Sequence, residues 1–146
     1  MRTSTGNAAV EIVASLDHLF QLLRRLTPAD GIGLTAASTL RRLARDGAHR
    51  LSEIAAAERV SQPAMTQLVS RLERDGLVRR GAHPGDGRVV IVAVTDAGRA
   101  VLDRRHDARV ARLEEALAAL PEADRRAIVA ALPAFDRLTA LGSEFS

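Results

Sequence analysis

Between Ser61 and Arg88 the chain carries two sets of side chains suited to reading a nucleic acid duplex. The first is Gln62, Pro63, Thr66, Gln67, Ser70 and Arg71, spaced so that one face of a helix presents them together while Met65, Leu68 or Val69, and Leu72 face inward. A glutamine can bond adenine through both N6 and N7, Pro63 and Ala64 can pack on a thymine methyl, and hydroxyls suit phosphate oxygens. The second set is Asp86 and Arg88 in a glycine-containing loop. An arginine at a hairpin tip can enter a narrow minor groove, and a carboxylate two residues earlier can hold its guanidinium through a bidentate pair. By residue type alone the first set is equally an ordinary polar helix face, and the second a turn residue beside a solvated cation. The order of parts favours DNA: short helix, turn, capped helix, glycine, hairpin.

The elements that must position these groups are legible from period and caps. Ile12, Leu16, Leu19, Phe20, Leu23 and Leu26 form a helical stripe, widened by Val13 and Leu22, that ends before Pro28. A second helix is expected from an N-cap at Thr35, with Leu40 and Leu43 on one side, to Asp46-Gly47. Ser52 is expected to cap a short third helix carrying Ile54, Ala55 and Ala56, and Ser61 a fourth, with Pro63 in its first turn and a stop at Asp75-Gly76. Leu77 to Arg80 and Val89 to Val94 read as strands joined by a loop from Gly81 to Arg88, the second strand apolar on both faces. Thr95 should cap a fifth helix running to about Leu120. Pro121 should open a sixth helix at its first position, and Pro133 should kink or split it.

Composition narrows the class. The 146 residues fit one domain, mainly α in an α+β sense, with residues 34–95 as a winged helix-turn-helix lobe and residues 6–26 and 96–142 as dimerisation helices. Aromatic residues are 2% of the chain, so the core must be built from Leu, Ala, Val and Ile. All 21 basic residues are Arg, and without Lys, Tyr or Cys almost nothing titrates between the α-amino group and Arg. The pI near 11 therefore overstates a net charge of only +3. Distribution says more than the total. Thirteen Arg face eight acids between Arg24 and Arg99, a local excess of +5 where the motif lies, as phosphate attraction requires.

Over L-S-E-I-A (51 to 55), V-S-Q-P-A-M-T-Q-L-V-S-R-L-E-R-D-G-L-V-R-R (60 to 80), D-G-R (86 to 88) and V-T-D-A-G (94 to 98), the sequence closely resembles the MarR family of bacterial transcriptional regulators. The resemblance implies a winged helix-turn-helix homodimer, base or groove contacts by Gln62, Pro63, Thr66 and Gln67, phosphate contacts by Ser70 and Arg71, and a wing pair of Asp86 and Arg88. It departs at Gly87, where many members carry a second Arg, which implies one minor-groove contact fewer. It also implies a ligand-responsive repressor, switched by a small-molecule effector in a cleft between the dimer helices and the DNA-binding lobe. His18, Arg24, Arg25, Arg41 and Arg42 are of the right chemistry for such a cleft, but fit solvated or interface positions better.

Dimerisation also follows from the residues themselves. The wide stripe of the first helix and the Leu- and Ala-rich C-terminal helices offer more apolar surface than a lone chain should leave wet. A two-fold dimer presents two copies of the fourth helix, so the expected partner is a double-stranded DNA operator that is pseudopalindromic, with half-sites roughly 10 bp apart. No nucleophile and base or paired carboxylates stand at family-specific spacing, so an enzyme is not expected, and neither is a cofactor. The four His show no i, i+4 pairing, so no metal site is expected, and zero Cys removes thiol oxidation as a switch. With no apolar stretch long enough for a membrane and no leader pattern, the expected location is cytoplasmic. The alternative function is a winged helix that docks a protein partner without specific DNA binding.

Overall fold

Leu40, Leu43, Ile54, Met65, Val69 and Val92 are almost wholly excluded from solvent and meet in one apolar cluster. The computed structural model that shows this describes residues 2–142. Its helices are α1 (Arg2–Leu26), α2 (Leu34–Asp46), α3 (Leu51–Ala57), α4 (Gln62–Arg74), α5 (Asp96–Ala118) and α6 (Glu122–Gly142); its strands are β1 (His49–Arg50), β2 (Val78–His83) and β3 (Asp86–Val94). The fold is mainly helical with a small antiparallel sheet of order β1-β3-β2. Val78 pairs with Val94 and Ala82 with Val90, while His49 pairs with Val92 on the other edge of β3. The core is drawn from α2, α3, α4, β2 and β3, so the polar face of α4 is fixed by burial of the opposite one.

Several expected boundaries move, each for a local reason. Gly33, not Thr35, is the N-cap of α2, and it supplies no side-chain bond. The third helix opens one residue ahead of Ser52, because Glu53 Oε2 accepts the Arg50 backbone N–H at 2.8 Å and closes the first turn from inside. Of the three apolar residues this helix carries in sequence, Ile54 and Ala55 are buried and Ala56 is exposed. Strand β1 is two residues long, too short for any periodicity, and exists because β3 offers it an edge. Both hairpin strands run further than expected, leaving Pro84 and Gly85 as the turn and Asp86 as the first residue of β3. The sixth helix starts after Pro121, whose carbonyl accepts the Asp124 and Arg125 N–H groups, and it passes through Pro133 unbroken.

The chain divides into two compact units, one up to Ala108 and one from Arg109 onward. In the first unit the apolar stripe of α1 is open from Ile12 to Leu23, with Val13 58% and Phe20 50% exposed, and Leu26 is half-buried. In the second, α6 leaves Val129, Leu132, Phe135 and Leu138 similarly open. Among the described residues no helix is long and apolar enough to cross a membrane.

Candidate nucleic-acid interface

Helix α4 starts as its sequence dictates: Ser61 Oγ accepts the Ala64 N–H at 3.3 Å, and Pro63 sits in the first turn, where no backbone donor is needed. Met65, Leu68, Val69 and Leu72 are all buried, which settles the alternative between Leu68 and Val69 by including both. Gln62, Pro63, Thr66, Gln67 and Arg71 are left exposed along one side, and Ser70 is half-buried at its edge. The glutamines keep their amides available for bidentate contact. The hydroxyl of Thr66 donates to the Gln62 carbonyl at 2.8 Å, so what it offers outward is its methyl and its lone pairs.

The base of the hairpin is tied to this helix by Arg80, which belongs to neither of the two side-chain sets read from the sequence. Arg80 Nη1 donates to Glu73 Oε2 at 2.7 Å, Arg80 Nη2 to Ser70 Oγ at 2.9 Å, and the Arg80 backbone N–H to Glu73 Oε1 at 3.2 Å. Ser70 is thus partnered inside the protein as well as placed beside the exposed face. No helical or strand period links positions 73 and 80, which lie on different elements across a turn, so sequence spacing holds no sign of this clamp.

At the wing the structure corrects one expected contact. Asp86 Oδ1 accepts the backbone N–H of Arg88 at 3.0 Å, and among the described residues it forms no ion pair with the Arg88 guanidinium. Asp86 therefore shapes the bend around Gly87 instead of holding the cation, a local side-chain-to-backbone bond typical of Asp in turns. His83 shapes the turn in the same way, its Nδ1 accepting the Gly85 N–H at 3.0 Å. Arg88 is exposed.

Thr95 joins the end of α4 to the start of α5. Its Oγ1 donates to the Gly76 carbonyl at 2.6 Å and accepts the Gly98 N–H at 3.1 Å, and its own N–H bonds the Leu77 carbonyl at 3.0 Å. Gly98 is buried against that carbonyl: a Cβ there would overlap Leu77 O and lie 2.7 Å from Val94 Cγ2. The T-D-A-G run is thus a cap followed by a close-approach glycine.

A second cluster lies where α5 meets the segment between α1 and α2. Arg105, 4% exposed, donates through Nη1 to Asp30 Oδ1, which also accepts the Ile32 N–H at 3.1 Å. Desolvation pushes the Asp30 carboxyl up, but the Arg105 hydrogen bond, the Ile32 N–H and the Arg105 charge outweigh it and hold the group below its ordinary value. A cleft of about 350 Å³ lies alongside, lined by Pro28, Asp30, Ile32, Val101, Arg104 and Arg105. None of His18, Arg24, Arg25, Arg41 and Arg42 lines it, and Arg42 is paired with the nearly buried Glu58 at 3.1 Å.

A polar-faced helix set by its buried side beside a two-stranded wing defines a winged helix-turn-helix protein. A family model described as "MarR family" matches residues 32–90. An HTH-type transcriptional regulator of Mycobacterium bovis is 34% identical over 86% of this chain and 87% of its own length. The HTH-type transcriptional repressor MdtR of Bacillus subtilis is 34% identical over 60% of this chain and 59% of its own length. The crystal structure of a candidate transcriptional regulator from Pseudomonas aeruginosa superposes with a TM-score of 0.78 at 30% identity, covering 92% of this chain and 94% of that one. The chain belongs to the MarR family: it is a DNA-binding transcriptional regulator and not an enzyme.

Proposed function

We propose that the chain is a homodimeric, sequence-specific repressor that binds a pseudopalindromic operator and is released by a small-molecule effector. The observation that carries this is the exposed row Gln62, Thr66 and Gln67 on a helix locked from behind by Met65, Val69 and Leu72. Gln62 and Gln67 read base edges in the major groove, Pro63 and Thr66 line it, Ser70 and Arg71 meet phosphates, and Arg88 follows the minor groove. Asp86 contributes by holding the Arg88 backbone. The dimer is supported by the open apolar stripe of α1 and the open face of α6, surfaces that a monomer would leave wet. Repression is supported by the likeness to MdtR. The cleft beside Asp30 and Arg105, with Arg104 on its rim, suits an anionic effector. An effector that binds one lobe arrangement better than the other shifts the equilibrium between them.

Titration of long mixed-sequence duplex DNA at increasing salt tests the reading. A dimer contacting six to ten phosphates should lose about 10³-fold or more in affinity between roughly 50 and 200 mM salt. On its cognate operator Arg88→Ala should weaken binding by about 1 to 3 kcal/mol. Binding that ignores salt, or that needs no duplex, would instead mark a protein-docking module.

A further inference from the structure

Arg59 sits in the turn between α3 and α4 with φ at +53°, and among the described residues it is the one non-glycine residue with positive φ. The turn is a Schellman closure: the Val60 N–H bonds the Ala55 carbonyl at 3.0 Å and the Arg59 N–H bonds the Ala56 carbonyl at 3.1 Å. Helix α4 ends in the same pattern, Leu77 N–H to Leu72 O at 2.8 Å and Gly76 N–H to Glu73 O at 3.0 Å, with a glycine in the left-handed position. The chain thus places glycine where this closure only ends a helix, and arginine where it leads into the recognition helix. A left-handed arginine costs backbone energy that glycine would not. The side chain recovers nothing visible within the fold. Arg59 is exposed, and no ion-pair or hydrogen-bond partner of its guanidinium is found among the described residues. The adjacent acid does not neutralise it, because Glu58 is engaged by Arg42.

We infer that Arg59 is a further DNA-backbone contact, a phosphate ligand held in a strained turn; this rests on the DNA-binding reading above. Ser61 follows two residues later, a span of at most about 7 Å, and Gln62 is the first base-reading side chain. The major groove is only about 12 Å wide, so a long cation just upstream of a side chain in the groove reaches the phosphates of its wall. Strain retained for a contact made outside the protein predicts opposite changes in stability and binding.

Full-length wild type, Arg59→Gly and Arg59→Lys are compared by thermal unfolding at fixed protein concentration and by salt titration on long mixed-sequence duplex DNA. Arg59→Gly should melt about 2 to 4 °C higher. It should nevertheless bind DNA several-fold more weakly, with a log–log salt slope shallower by about 2 per dimer, one phosphate per half-site. Arg59→Lys should keep the slope. An Arg59→Gly protein with wild-type affinity and slope would overturn the assignment. Wild type that shows no salt-dependent binding would overturn the DNA-binding reading itself, and this contact with it.

Discussion

Glu73 gives both carboxylate oxygens to one residue: Oε2 takes the Arg80 guanidinium at 2.7 Å and Oε1 takes the Arg80 backbone N–H at 3.2 Å. Since Glu73 is on α4 and Arg80 on β2, this pair ties the helix to the base of the hairpin. Both side chains are about a third exposed, so solvent screening limits what the pair adds to stability, about 0.5 to 1 kcal/mol. Under the function proposed above its larger effect should be on DNA, because α4 and the hairpin would have to meet one duplex at a set spacing. Arg80→Ala and Glu73→Ala should each weaken DNA binding several-fold while shifting urea unfolding by no more than about 1 kcal/mol, and the double variant should be no worse than either. Additive losses in the binding titration would show that the two residues act separately.

Gly98 offers a sharper test of packing. A methyl group there would overlap the Leu77 carbonyl, which is already bonded by Thr95. That oxygen belongs to the backbone, so it cannot swing aside. Gly98→Ala should destabilise the fold by about 1 to 3 kcal/mol in denaturant unfolding. An unchanged midpoint would mean that α5 can move off the end of α4 without cost.

Asp30 should give part of the stability an acid dependence of known sign. Its folded pKa lies below the ordinary 3.8, so its pairing with Arg105 contributes fully above that value and is lost as pH falls through the folded pKa. At neutral pH Asp30→Asn should cost about 1 to 3 kcal/mol, because Arg105 would stay buried with a weaker acceptor. The gap between wild type and variant should hold steady above about pH 5 and close below the unfolded value. A gap that widened on acidification would contradict the pairing.

How far the sequence revealed all this depends on the range of the interaction. Helix α4 was legible throughout, because its cap, its proline and its inward period are separated by a few positions on one element. The Thr95 cap was legible for the same reason. Asp86 and Arg88 stand out in the sequence as neighbours, but the bond Asp86 makes does not. Two residues apart, a carboxylate can reach either the backbone or the side chain, and residue types do not choose between them. Arg80 with Glu73 and Arg105 with Asp30 were invisible, since tertiary packing alone joins positions on different elements. Strand β1 is not legible in the sequence because two residues carry no alternation; only its neighbour β3 makes it a strand.

Selection from a randomised duplex pool tests whether two copies of α4 read one duplex together. Wild type should enrich an inverted repeat with half-sites about 10 bp apart, and Gln67→Ala should lose base preference at one position in each half while keeping the spacing. Enrichment of no sequence, or of a single unrepeated half-site, would show that two copies of α4 do not read DNA as a pair.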